Sequence, residues 1–213
     1  MGGCCATGYE RFFGPRLARR DARRYRKRGL DDTAQRLVDE LSARGVSGTS
    51  LEVGGGIGAI ELELLKHGVE RATIVELSHG YDEEATALAR EAGVEKRIER
   101  FHGDFAQQEA LVDPADVVVM HKVVCCYPDP EKLVGAAASH SRRLLALSLP
   151  RDDAWWLRVA VRVANVWFRL IGGIETFLHE PTRVVAIAES AGLRAVLHER
   201  SGRIWRVALF ERN

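Results

Sequence analysis

Leu51-Glu52-Val53-Gly54-Gly55-Gly56-Ile57-Gly58 sets an acid and three glycines at alternate positions, E-x-G-x-G-x-G, directly after a short apolar run. It reads as a strand that turns sharply into a helix around a small ligand. Glycine is favoured where the backbone takes positive φ or where a ligand must approach without a Cβ in the way, and three such positions in five residues exceed what packing asks for. The segment is therefore read as a cradle for a nucleotide-type cofactor.

Two cofactor classes compete for it. Taken as Gly54, Gly56 and Ala59, the residues fit the G-x-G-x-x-G/A pattern that places a pyrophosphate on a helix N-terminus, with Glu76 about where a ribose-binding acid belongs. On the glycines alone NAD stays open. Glu52 shifts the balance, because a carboxylate at the end of the first strand repels a pyrophosphate but suits a ligand with a cationic amino group there. S-adenosylmethionine is such a ligand.

From about Thr49 to Leu149 the chain resembles the class I S-adenosylmethionine-dependent methyltransferases at four points in order: LEVGGGIG, ATIVEL ending at Glu76, RFHGDF around Asp104, and DVVVMHKVVCCYPD. The resemblance implies that Glu76 accepts both ribose hydroxyls and Asp104 the adenine amino group. Both roles suit a carboxylate, which accepts several hydrogen bonds at once. The implied cofactor set is Glu52, Gly54, Gly56, Gly58, Glu76, Leu77, Asp104, Phe105 and His121, with Tyr9 from the N-terminal segment. S-adenosylhomocysteine would be the product.

Composition agrees. With 213 residues, 46% hydrophobic and 29% charged, the chain can bury one full core and is neither disordered nor fibrous. A net charge of +1 gives no global preference for nucleic acid, membrane or acidic substrate. With no secretory apolar region before the first charges, a cytoplasmic protein with reduced cysteines is expected.

Helical patterns at 16–28, 31–44, 59–67, 82–92, 107–112, 131–140, 153–171 and 181–191 alternate with strand patterns at 50–53, 73–76, 98–102, 116–120 and 144–149. Strands at 194–199 and 204–210 close the chain through Ser201-Gly202. This predicts an α/β fold: a doubly wound, mostly parallel seven-stranded sheet with a terminal antiparallel hairpin and N-terminal helices. One domain is expected over 1–213, with a helical lid over 1–45, a cofactor-binding core over 46–150 and acceptor-cap helices with the hairpin over 151–213.

Three regions bear on the acceptor. Arg11, Arg16, Arg19, Arg20, Arg23, Arg24, Arg26, Lys27 and Arg28 crowd the N-terminus, but they surround their helix and the rest of the chain is balanced. A helix that lays Phe13, Leu17 and Tyr25 over the pocket fits better than a nucleic-acid arm. Cys4-Cys5 and Cys125-Cys126 lie where a folded-over N-terminus would bring them together, yet their spacing is not that of common zinc sites and no metal is assigned. His121 and Tyr127 are the candidate catalytic residues, His121 because an imidazole titrates near neutrality and can take a proton from the acceptor. His179 and Glu180 could also look into the acceptor pocket.

The stretch 153–172 carries Trp155, Trp156, Trp167 and Phe168 with Arg158, Arg162 and Arg169, too cationic to span a membrane. It is read as an amphipathic helix whose apolar face finishes the core, caps a hydrophobic or anionic acceptor, or touches a membrane surface. The V-x-C-C-Y-P-D loop is loosely similar to that of porphyrin-carboxylate methyltransferases. The reading is methyl transfer to a small-molecule acceptor, hydrophobic or anionic, with the atom (O, N or S) and the oligomeric state open. The alternatives are a nucleic-acid methyltransferase using the basic arm and a non-catalytic S-adenosylmethionine- or metal-binding protein using the paired cysteines.

Overall fold

The computed structural model describes residues 10–170 and 174–212. Its strands are β1 (Gly48–Val53), β2 (Val69–Glu76), β3 (Ile98–His102), β4 (Ala115–His121), β5 (Ser141–Pro150), β6 (Leu193–Ser201) and β7 (Trp205–Arg212). They form one sheet in the order β3-β2-β1-β4-β5-β7-β6. The first five run parallel, and β7 is antiparallel to both neighbours. The expected doubly wound sheet with its terminal hairpin is what forms.

The α-helices are α1 (Pro15–Arg28), α2 (Asp32–Ala43), α3 (Ala59–Lys66), α4 (Asp82–Glu91), α5 (Phe105–Gln108), α6 (Pro130–His140), α7 (Trp155–Leu170) and α8 (Pro181–Ser190). Several start as the sequence dictates. Proline occupies the first turn of α1, α6 and α8, where its missing N–H costs nothing. Asp31 caps α2 by accepting from the Thr33 and Ala34 amides at 3.0 and 3.1 Å. The helix expected over 107–112 instead starts at Phe105 and gives way to a 3-10 turn at Glu109–Leu111, because Asp104 caps it two residues earlier.

Alternation along the strands divides the core. Val117, Val119, Leu144, Ala146 and Leu209 face α2 and α3, packing on Leu37, Val38, Leu41 and Leu64. Val118, Met120, Leu145, Leu147 and Phe210 face α6 and α8, packing on Leu133, Val134 and Val184. Both faces are covered, so the strands read as near-continuous apolar runs. The order reverses between β1 and β4, and the carboxyl ends of β1, β2, β3 and β4 open onto one edge, the usual ligand crevice of such sheets.

Candidate active site

The glycine loop leaves β1 at that edge. Gly54 has φ 69° and a Cβ there would lie 2.4 Å from Val123 Cγ2, so the loop and the segment after β4 touch only because residue 54 has no side chain. Gly56 takes φ 53°, which aims its N–H at Glu76 Oε2, 2.8 Å away. Gly58 stands as the left-handed N-cap of α3.

Glu76 organises this region. Its carboxylate is buried at the end of β2; besides the Gly56 amide it accepts from the Leu77 and Ser78 amides at 2.8 and 3.1 Å. Asp104, beyond β3, accepts from the Ala106 amide at 3.1 Å, from Gln107 Nε2 at 2.6 Å and from the Tyr127 hydroxyl at 3.2 Å. Phe105 points into the core, edge-on to His140, so what it offers a ligand at the crevice is main chain.

Glu52 occupies a different place from the one its charge suggested. Its side chain is buried beneath the loop, where a Cβ on Gly55 would meet Oε2 at 2.8 Å. It packs beside Glu61 of α3 and Arg100 of β3. Burial, with the Glu61 charge, pushes its carboxyl well above the usual range against the opposing pull of Arg100. Glu61 is pushed up by burial to about 8, while a hydrogen bond from Ser50 Oγ works the other way. The pair supports the loop from below rather than presenting a full negative charge at its mouth, so charge repulsion of a pyrophosphate is not what Glu52 supplies.

The N-terminal segment is clasped to the turn after β2. Ser78 Oγ donates to the Phe13 carbonyl at 2.7 Å, and Glu10 accepts from the His79 amide at 3.1 Å. Ala18 and Ala22 of α1 are buried in a cluster with Ile57, Tyr81 and Leu88. Arg26 pairs with Glu91 and Glu84, and Tyr25 donates to Glu63 at 2.6 Å. The basic helix thus packs beside the glycine loop, and its remaining arginines are solvated. Tyr9, Cys4 and Cys5 lie outside the described residues.

On the acceptor side, His121 ends β4 with both ring nitrogens engaged. Nδ1 is 3.0 Å from Ser148 Oγ and Nε2 is 3.3 Å from Asp31 Oδ2. Burial holds it below the usual histidine range, partly opposed by Asp31. Lys122 follows with φ 60°, the one positive φ outside glycine among the described residues. Its amide donates to Ser148 Oγ at 2.9 Å and its ammonium to Asp31 at 2.6 Å. Backbone strain of this kind persists only where the surroundings over-determine it. The proton-abstracting role expected of His121 therefore meets a histidine already committed to shaping the turn. Tyr127 is pushed up to about 12 by burial and Asp104, which makes its hydroxyl a donor rather than a base.

Asp31 is the joint of this cluster and a residue the sequence did not single out. Burial works against its charge, but His121 and Lys122 hold the carboxyl well below the ordinary range. A carboxylate held low contributes stability above its unfolded pKa that is lost as pH falls. Asp31→Asn preserves the cap, since asparagine caps as well as aspartate. It is expected to cost about 1–3 kcal/mol near neutrality through the charge-assisted bonds, the difference shrinking below pH 3. Denaturant melts at both pH values check this.

Cys125 and Cys126 have Sγ atoms 3.9 Å apart with no disulfide between them. The hydrogen bond with Cys126 and burial push the Cys125 thiol up. The Cys125 carbonyl accepts from the Phe177 amide at 2.7 Å, and His179 Nε2 lies 2.8 Å from the Tyr127 carbonyl, so these residues pack along the loop after β4, while Glu180 is exposed. Asn165 of α7 binds both main-chain groups of Thr176.

That anchor turns α7 the other way from the sequence reading. Leu157 is buried, whereas Trp155, Val159, Val163, Val166 and Trp167 are each more than half exposed. The apolar stripe neither finishes the core nor closes on the site in this arrangement. No helix among the described residues is long and apolar enough to cross a membrane.

Residues 22–198 match a family model described as methyltransferase domain. Among solved structures, magnesium protoporphyrin IX methyltransferase from Synechocystis PCC 6803 with bound SAM is 18% identical, with TM-score 0.72 over 98% of this chain and 97% of that one. The same enzyme with bound SAH gives 21% identity and TM-score 0.68 over 85% and 82%. A putative sarcosine dimethylglycine methyltransferase from Galdieria sulphuraria gives 15% and 0.66 over 85% of each chain. No curated protein matches the chain.

Proposed function

The chain belongs to the methyltransferase domain family, and from that premise we propose that it transfers the methyl group of S-adenosylmethionine to a hydrophobic small molecule. The observation that carries the cofactor reading is the convergence of the glycine loop, the buried Glu76 and the capped Asp104 at one sheet edge. Glu76 has accepting capacity left for a ribose hydroxyl, and Asp104 for an exocyclic amine. Gly54, Gly56, Gly58 and the Leu77 and Phe105 main chain would line the same ligand, with Glu52 supporting the loop from beneath.

S-adenosylmethionine supplies an activated methyl on a sulfonium, whose neutral leaving group makes alignment the main requirement. This chain's residues supply that alignment. His121, Asp31, Ser148 and Lys122 fix the turn that sets Val123 against Gly54, and Tyr127 ties the same loop to Asp104. We assign His121 and Tyr127 to positioning the acceptor side. Residues 1–45 act as the lid, 46–150 as the cofactor core and 151–213 as the acceptor portion.

Hydrophobic character is assigned to the acceptor from Phe177 beside the acceptor loop and from the similarity to a porphyrin methyltransferase.

Calorimetry tests the cofactor. S-adenosylmethionine or S-adenosylhomocysteine is expected to bind with millimolar affinity or better and NAD more weakly; tighter binding of NAD would end this reading. Vesicle flotation tests whether the exposed stripe of α7 meets lipid. No binding to neutral vesicles is expected, and weak salt-sensitive binding to anionic ones would report the arginines alone. Firm association with neutral vesicles would assign the stripe to lipid.

A further inference from the structure

We propose that His79, Asp82 and His102 form a binding site for one divalent metal ion of the zinc, cobalt and nickel class, separate from the methyl-transfer chemistry. The three residues come from different elements: His79 from the 3-10 turn after β2, Asp82 from the first turn of α4, and His102 from the last position of β3. Parallel pairing sets His102 beside Glu76, which brings the end of β3 against that turn.

One ligand atom from each residue lies within 4.8 Å of the others. His79 Nδ1 and His102 Nε2 stand 3.3 and 3.2 Å from the same oxygen, Asp82 Oδ2. A charge-assisted hydrogen bond is shorter, about 2.7–2.9 Å. Ligands about 2.0–2.1 Å from a tetrahedral zinc are separated by about 3.3 Å, the edge of the tetrahedron. The spacing accommodates a shared ion as well as the hydrogen bond between His79 and Asp82. The imidazole ring centroids lie 3.8 Å apart with their planes inclined at 32°, which brings the two side chains together beside the carboxylate.

The donor set agrees. Two imidazoles and one carboxylate suit zinc, cobalt or nickel and are a poor match for calcium or magnesium, which want oxygen. Asp82 Oδ1, the other carboxylate oxygen, lies 3.4 Å from Arg100 Nε, which orients the group. His102 presents Nε2 to the carboxylate, and its Nδ1 is buried without a hydrogen-bond partner. His79 is exposed, which leaves a path for the ion and a position for water.

A bound ion would join the turn that follows Glu76 to the strand that leads to Asp104. Because the His79 amide also donates to Glu10, the clamp would extend to the N-terminal segment.

Chelator-treated, tag-free protein titrated with Co2+ and with Zn2+ tests this by calorimetry and cobalt absorption. One ion per chain is expected, with His102→Ala and Asp82→Asn each weakening it at least about tenfold. A thiolate-to-cobalt charge-transfer band should be absent. Circular dichroism checks that the variants fold; His79→Ala, on an exposed turn, gives the same reading if His102→Ala does not. Stoichiometric binding that survives the His79→Ala/His102→Ala double variant, a thiolate band abolished by Cys→Ser, or no binding at millimolar ion would each overturn the site.

Discussion

Glu76→Ala is expected to weaken S-adenosylhomocysteine binding by about 1–3 kcal/mol, roughly 5- to 150-fold. The substitution does two things. It removes the acceptor proposed for the ribose, and it strands the amides of Gly56, Leu77 and Ser78, which all terminate on this carboxylate. The loop then loses the contact that holds Gly56 at positive φ, and the cradle must be reassembled at the expense of binding. Glu76→Gln, which keeps one oxygen in place, should fall between wild type and alanine. Isothermal calorimetry gives the affinities and thermal melts separate them from loss of fold. A change below a few tenths of a kcal/mol in the folded alanine variant would mean that Glu76 serves the loop but not the ligand.

Glu61→Gln should make the protein more stable at alkaline pH and leave it unchanged in acid. The Glu61 carboxyl is raised from 4.5 to about 8, chiefly by burial. Between those values the folded state holds a proton that the unfolded chain has released, so native stability falls as pH rises, by at most about 1.4 kcal/mol per unit. Below pH 4.5 both states are protonated and the penalty vanishes. A glutamine is neutral throughout, and its oxygen can still accept from Ser50. Integrated from 4.5 to about 8, that slope sets an upper bound of about 5 kcal/mol at pH 8.5; a gain of at least about 2 kcal/mol is expected, seen as a melting temperature higher by about 4–8 °C or more. Glu52→Gln should act in the same direction and not add fully, because the two carboxyls share one buried environment. Parallel pH dependence of melting in Glu61→Gln and wild type would refute the assignment.

The cofactor side of the site was legible because its chemistry is local. Glycines at alternate positions need no distant partner to reveal left-handed backbone, and Glu76 and Asp104 were singled out by the family resemblance of the short motifs that hold them. The acceptor side was much less so. His121 read as a base because a histidine past a strand end has that capacity; its ring is occupied by Asp31 and Ser148, 90 and 27 positions away. Asp31 drew no reading of its own, since an aspartate at the start of a helical pattern gives no sign of a partner 90 positions away. Glu61 drew none either, since nothing in AIELELLK marks one glutamate as facing Ser50 and Glu52 of the neighbouring strand.

By itself the sequence determined the order and type of the elements, the mostly parallel sheet, the terminal hairpin and the left-handed glycine loop after the first strand, because these rest on periodicity, prolines, caps and glycines acting within a few residues. Only the tertiary structure decided which charges are buried, which histidine nitrogens are committed and which way α7 turns. Asn165 anchors that helix through Thr176, exposing an apolar stripe that periodicity alone assigns to the interior. It also decided that His79, Asp82 and His102 meet, since parallel register between β2 and β3 is what sets the end of one strand beside the turn after the other. Hydrophobic patterning fixes a face relative to its own element, whereas a side chain's partner depends on how two elements dock, and that is a property of the packed whole.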